Sequence, residues 1–428
     1  MSDTAGRVPV PVLRVVTERV DDIRPLVPLV DPRNPLVFIR RGSGIAGIGE
    51  ALRLTFTGPT RFTDAAAAWK RVARVAVVDD PVALPGSGLV ALGAFAFADE
   101  SAATSVLIVP AVVIGRRAGA SWVTRISVGA DLPVAELVEA PRQEPVAELV
   151  EAPLGPDFSV SFDIGALDRA GYRRAVEAAL VHLRAGELSK VVLARSMVGH
   201  LPDGADLRVL LAELASGYPD TWTFAVDGLI GSSPETLVTA NRGTVTARVL
   251  AGSAPRGTDP SSDADAAAAL ATSTKDLDEH QFALRSLLAS LAPHAANVTS
   301  SEQPFTLKLP NLWHLASDVE GTLSDGSSSL DLIAALHPTA AVAGTPTPAA
   351  LALIRDLEPF DRGRYAGPVG WVGADGDGEW AIALRSAQVD PDGTVTAFAG
   401  AGIVTDSDPE KEMLETRMKF RPVIDAFA

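Results

Sequence analysis

The chain contains no cysteine, which excludes disulfides, thiolate zinc sites and cysteine nucleophiles and leaves oxygen and imidazole as metal ligands. Histidine is scarce, six in 428 residues, so carboxylates are the more available of the two. Basic residues are outnumbered, 37 Lys+Arg against 53 Asp+Glu for a net charge of −16, which argues against a nucleic-acid partner. Long hydrophobic runs are missing too. The most apolar stretch, Ser105 to Gly115, spans about eleven residues and contains Pro110, well short of the roughly 20 that a membrane span needs. The opening MSDTAGR has neither a basic start nor a following apolar run, so no secretory signal is expected. A cytoplasmic protein with no membrane partner is the expectation, and nothing demands more than a monomer. What is present, 47% hydrophobic and 21% charged residues, is the composition of an ordinary globular protein. The length allows two or three domains of roughly 150 residues, or one large α/β unit, and buries a sizeable core without staples.

The clearest internal feature is the repeat PVAELVEAP at 133–141 and 145–153. It is too short for a solenoid unit and is closed by proline at both ends, so it reads as a duplicated linker. A boundary placed there divides the chain into an N-terminal lobe, 1–155, and a second region, 156–428. In the first, LVFIRR (36–41), ALRLTFTG (51–58), VARVAVVDD (72–80) and SVLIVPAVVIG (105–115) read as strands between turns. In the second, Val176, Ala179, Leu180 and Leu183 follow helical spacing, with Gly186 where a cap belongs, so a helix over 168–185 leads into the strand KVVLARSM that begins at Lys190. Leu207, Leu210, Leu211 and Leu214 mark another helix, followed by the strand TWTFAVDG, and Leu284, Leu287, Leu288 and Leu291 mark a third. WVGADGDGEWAIALRSAQVDPDGTVTAFAGAG reads as three strands of one antiparallel meander, and a last helix covers 408–420.

Two acidic pairs at i, i+3 spacing, Asp276 with Glu279 and Glu412 with Glu415, each place two carboxylates on one helix face. Such a pair suits a hard Mg²⁺ ion or is simply a solvated surface. Lys190 is either a solvated strand end or a lysine that burial turns into a base. Glu235, in GSSPETLV, either begins a turn or is a carboxyl kept protonated by an apolar pocket. Arg385, expected on an inner strand of the meander, needs an anionic partner. GSGIAG at 42–47 fits G-x-G-x-x-G, but the next segment, IGEALRLTFTG, reads as strand and not as the phosphate-binding helix, so no dinucleotide is expected. GAGIVTDSDPEKE at 400–412 offers backbone N–H groups to a carboxylate. His314 and His337 lie in apolar surroundings, where a satisfied core histidine is the plain alternative.

The blocks KVVLAR, GSSPETLV, LAGSAPRG, KDLDEH, WHL, LHPTAAVAGTP, EPFDRGRYAGPVGW, GEWAIALRSA, FAGAGIV and SDPEKEMLETRMK, in this order over 190–419, resemble the chorismate-utilising enzymes. These include isochorismate synthases, salicylate synthases, and the anthranilate and aminodeoxychorismate synthase components. The resemblance implies an α/β (α+β) chorismate-binding fold with a large, mainly antiparallel sheet core flanked by helices. It implies Glu279 and Glu415 as Mg²⁺ ligands with Asp276 and Glu412 beside them, Lys190 as the base that activates water, and Glu235 as the acid across the ring. It also implies Arg385 and Tyr365 on the pyruvyl carboxylate, helped by N–H groups near Gly400 and Gly402. Lys419, Gly252 and Ser253 would lie near the metal and ring carboxylate, and His314 would border the ring. Lys190 together with Ala251 favours water over ammonia. Ala341, where salicylate synthases tend to carry threonine, favours a synthase that stops at isochorismate; the family's usual proline before it is Ala340 here. The expected activity is therefore Mg²⁺-dependent isomerisation of chorismate, with a salicylate synthase as the alternative and a catalytically silent chorismate-binding protein as the reading from another class.

Overall fold

The computed structural model describes residues 11–23, 25–129, 153–308 and 312–427. Apart from Pro153, the repeat at 133–153 lies outside the described residues. Among these residues the strands form two sheets, of 13 and 10 strands. The pair Leu13–Val20 and Val77–Asp79 is parallel, and the long pairings that build both sheets are antiparallel.

Side-chain alternation along the strands explains the layering. In Leu36–Arg40, Leu36 and Phe38 enter a cluster with Leu92, Leu107, Trp371 and Trp380 of the smaller sheet. Val37 and Ile39 enter another with Leu207, Leu211, Phe420 and Val423 of the helices Leu207–Gly217 and Pro409–Ala426. The larger sheet thus packs one face on the smaller sheet and the other on helices. Helices Arg61–Val75, Thr274–Leu291 and Ser329–Leu336 pack on the smaller sheet. This is the mainly antiparallel core flanked by helices that was expected. Strand Leu36–Arg40 pairs with Trp222–Val226, and Val90–Ala94 pairs with Pro368–Gly373, so both sheets run continuously across the boundary drawn at 155. No helix among the described residues is long and apolar enough to cross a membrane.

Helix starts follow local chemistry. The Asp168 carboxylate caps Arg169–Arg184 by accepting from Gly171 N at 2.6 Å, Ser273 caps Thr274–Leu291, and Asp408 caps Pro409–Ala426 by accepting from Glu410 N and Lys411 N. Each cap contributes about 1 kcal/mol. The last two caps also fix where Asp276 and Glu412 fall, in the first turns of their helices.

Three strand expectations need correction. Residues 72–75 end a helix, because Phe62, Ala65, Trp69 and Val72 form a buried helical stripe, and the strand keeps only Val77–Asp79. The run 105–115 is two strands, since Pro110 has no N–H for a ladder: Ser105–Val109 lies in the smaller sheet and Val112–Arg117 in the larger. The meander is likewise divided between sheets. Pro368–Gly373 and Gly378–Ile382 belong to the smaller sheet, while Ser386–Val389 and Thr394–Ile403 belong to the larger. The last helix runs on to Ala426, past the expected end at 420, with Pro422 accommodated inside it.

Candidate active site

Two chain crossings between the sheets build the centre of the site. From Leu229–Ser233 in the larger sheet the chain passes through Pro234 and Glu235 into Thr236–Asn241 of the smaller one. From Gly378–Ile382 it returns through Ala383, Leu384 and Arg385 into Ser386–Val389. The crossings are bonded to each other: Ile382 N donates to Glu235 O at 3.1 Å, and Ser232 N donates to Arg385 O at 3.0 Å. Arg385 therefore sits at a junction and not on an inner strand. Its φ of 49° is a left-handed conformation, which costs a non-glycine residue roughly 1–2 kcal/mol.

Glu235 and Arg385 line a cavity of about 170 Å³, and every other residue that the resemblance assigns to catalysis, substrate or metal lines it too, whereas His337 does not. Lys190 begins the strand Lys190–His200, which pairs with Thr394–Ile403 and so brings Gly400 and Gly402 alongside. A β-carbon at Gly402 would lie 2.9 Å from Lys190 Cε, so the lysine occupies the space that glycine leaves open. On the smaller sheet, Ser253 faces His314 across the ladder, just past a register shift after Leu250. Ser253 Oγ lies 3.0 Å from His314 Nδ1. Gly252 has φ of 82°, and a β-carbon there would meet Asp276 Cβ at 3.1 Å. Tyr365 stacks on Phe398 with ring centroids 5.2 Å apart, and Ala341 enters from the loop after Ser329–Leu336.

Two lysine–carboxylate pairs lie in the cavity. Lys190 Nζ donates to Glu279 Oε1 at 2.6 Å, and Lys419 Nζ lies 2.5 Å from Glu415 Oε1 while also donating to Gly400 O at 3.1 Å. Burial opposes ionisation of Glu279 and Glu415, but the neighbouring lysines outweigh it and hold both carboxyls below their usual range. Glu235 has no such partner: burial outweighs the attraction of Lys190, Lys419 and Arg385 and pushes its carboxyl up to about 7. Arg385 likewise has a buried Nη1 with no hydrogen-bond partner among the described residues. His314 is pushed down to about 3 by burial, then by Arg385 and Lys419, so its imidazole is neutral. Burial raises Tyr365 to about 12, leaving its hydroxyl a donor.

The acidic residues of two helices, Asp276 and Glu279 on one and Glu412 and Glu415 on the other, meet in this cavity. Burial and the nearby Glu415 push Glu412 up to about 7. That is the conflict of like charges a bound cation relieves. The donors are all carboxylate oxygens, the set a hard divalent ion takes. Among the described residues no three acids or histidines are gathered into a ready cage, and each lysine pair engages the Oε1 of its carboxylate. The donor chemistry and the charge conflict fit such an ion.

Arg362 was not singled out in the sequence. Its buried guanidinium donates to Glu358 Oε1 at 2.6 Å, to Glu358 Oε2 at 2.8 Å, to Val342 O at 2.9 Å and to Val192 O at 2.7 Å, while Glu358 Oε1 accepts from Ala194 N at 2.7 Å. This pair ties the strand behind Lys190 to the loop that carries Ala341. The available signal was an acid and a base four apart in EPFDRGRYAG, within an otherwise apolar block.

The family model for chorismate binding enzymes matches residues 10–428. The isochorismate synthase DhbC of Bacillus subtilis (strain 168) is 41% identical over 267 residues, 60% of this chain and 67% of its own. The isochorismate synthase EntC of Escherichia coli (strain K12) is 37% identical over 247 residues, 56% of this chain and 63% of its own. Among solved structures, DhbC from Bacillus anthracis superposes with a TM-score of 0.75 at 31% identity, covering 94% of this chain and 98% of that one. MenF from Escherichia coli, a menaquinone-specific isochorismate synthase, shares the fold with a TM-score of 0.79 at 24% identity, covering 97% and 95%. With a match that runs over nearly its whole length, the chain belongs to the chorismate-binding enzyme family.

Proposed function

We propose that this enzyme is an isochorismate synthase that isomerises chorismate with Mg²⁺, its product serving menaquinone or siderophore formation. The observation that carries the reading is Glu235, a buried carboxyl that holds its proton near neutral pH in the same cavity as an amine, Lys190, and a guanidinium, Arg385, whose buried Nη1 has no hydrogen-bond partner among the described residues. The named relatives EntC and DhbC support the same choice.

Chorismate carries two carboxylates into a protein of net charge −16, so binding needs concentrated local counter-charge. Arg385, with Tyr365 donating beside it, takes the pyruvyl carboxylate. Lys190, the base, removes a proton from water as its oxygen bonds to ring carbon 2. The double-bond electrons move from C1–C2 to C1–C6 and from C5–C6 to C4–C5, the C4–O bond breaks, and Glu235 gives its proton to the departing oxygen, which leaves as water. One water enters and one leaves, so the reaction is an isomerisation. General acid and base groups contribute on the order of 10²–10⁴-fold each in such steps. Glu279 and Glu415, assisted by Asp276 and Glu412, would hold the Mg²⁺, which when bound supplies positive charge to the ring carboxylate.

Purified protein incubated with chorismate, with and without Mg²⁺, and analysed by liquid chromatography and mass spectrometry tests the reading. Isochorismate formed only with Mg²⁺ is the expected result. Salicylate with pyruvate as enzyme-bound products would make the enzyme a salicylate synthase, and no product at all would sink the proposal.

A further inference from the structure

A second cavity, of about 230 Å³, lies against the first and shares Glu235 and Ala341 with it. Its walls run from Glu235, 6% exposed, to Ser290, half-buried, and Ser286, exposed, on the helix Thr274–Leu291. The cavity therefore runs from the residue that bears the buried carboxyl to the surface of that helix, and Thr236, Ser286, Ser290 and Thr339 bring hydroxyl-bearing side chains to a lining that is otherwise mainly apolar. The lining also includes the loop after Ser329–Leu336, with His337 and Thr339. His337 Nε2 donates to Phe97 O at 2.9 Å, which leaves Nδ1 of the neutral ring as an acceptor. That Nδ1 and Thr339 Oγ1 are both buried, and neither has a hydrogen-bond partner among the described residues.

Buried polar atoms are as a rule satisfied, and water satisfies them where a cavity offers room and two or more partners. Each water takes about 30 Å³ of liquid volume, so this cavity has room for several. The chemistry proposed above creates the need for them. Each turnover leaves Glu235 without its proton and with a newly formed water beside it, whereas the attacking water is handled at Lys190.

We infer that the second cavity is a water conduit serving Glu235: it accepts the water formed from the C4 hydroxyl and returns a proton from solvent to the carboxylate, through waters held by Thr339 Oγ1 and His337 Nδ1. In the return step an O–H bond of a conduit water breaks as the carboxylate O–H bond forms, and the hydroxide left is neutralised by proton transfer along the water chain from bulk solvent. Thr339 and His337 act through these waters and are positioning residues. The inference rests on the isochorismate synthase reading.

The test compares kcat, KM and the solvent deuterium isotope effect on kcat for wild type, Thr339→Val and Thr339→Ser, with chorismate and Mg²⁺. Thr339→Val keeps the shape and loses the hydroxyl. It is expected to lower kcat about tenfold with KM unchanged and to enlarge the isotope effect, because proton return becomes limiting, while Thr339→Ser stays within about twofold of wild type. Ser290→Leu, which fills the conduit from a half-buried helix position, is expected to have the same kinetic signature and serves if Thr339→Val does not fold. Wild-type kcat and isotope effect in both Thr339→Val and Ser290→Leu would overturn the conduit, as would equal loss in Thr339→Val and Thr339→Ser. Failure of the wild type to make isochorismate would instead overturn the functional reading on which the conduit rests.

Discussion

Lys190 Nζ reaches Glu279 Oε1 at 2.6 Å because position 402, on the neighbouring strand, has no side chain. A methyl group there would fall 2.9 Å from Lys190 Cε and 3.8 Å from Glu279 Oε1. Gly402 has an ordinary negative-φ strand conformation, so alanine at this position does not strain the backbone. Gly402→Ala is expected to lower kcat by about tenfold or more by displacing the lysine, while the thermal midpoint stays within a few degrees of wild type. Steady-state kinetics alongside a melting curve checks both halves, and unchanged kcat would refute the packing argument.

Arg385 holds a buried donor with no partner among the described residues, a cost to the ligand-free fold that binding an anion removes. Arg385→Met is therefore expected to reduce kcat/KM by about 10- to 100-fold, the loss of a charged hydrogen bond of about 1.5–3 kcal/mol. The same variant is expected to melt no lower than wild type without ligand. A lower midpoint would show that the guanidinium supports the fold in a way its contacts do not explain.

Glu235 must hold a proton to act as an acid, and its pKa of about 7 sets where that ability is lost. kcat is expected to fall as pH rises through about 7, and Glu235→Gln is expected to lose about 10²-fold or more at every pH. A pH–rate profile flat between 6 and 8 would contradict the assignment. His314, held near 3, contributes no limb in this range.

Glu412 is protonated in the folded protein up to about pH 7, whereas the unfolded chain releases that proton near its ordinary value of 4.5. The folded state thus binds more protons between these values, so the stability of the metal-free protein declines as pH rises through the window. The effect is on the order of 3 kcal/mol for such a shift. Glu412→Gln is expected to raise the metal-free melting point at pH 8 but not at pH 4, and Mg²⁺ to raise that of wild type more than that of the variant. Melting curves at the two pH values, with and without Mg²⁺, provide the check.

Much of the site is legible in the sequence because its chemistry is written in local patterns. The acidic pairs at 276/279 and 412/415 and the strand that begins at Lys190 need only helical or strand periodicity to be placed. Arg362 escaped notice because its meaning lies in three partners, Val192, Val342 and Glu358, two of them distant in the chain. The meander was misread because GEWAIALRSAQV has the same period on either side of the point where it changes sheets, and periodicity carries no record of which sheet a strand joins.

By itself the sequence determined the family, the helix and strand identities of the site segments and the residue types available for chemistry, because these depend on composition, order and spacing along the chain. Only the tertiary structure decided that the crossings at Glu235 and Arg385 are bonded side by side, leaving one carboxyl without a partner and one guanidinium donor unsatisfied among the described residues. The protonation state of Glu235 follows from burial and from charges brought by strands and helices more than 40 residues away in the chain. Desolvation and Coulomb interactions depend on distance through space, which packing sets and sequence order does not.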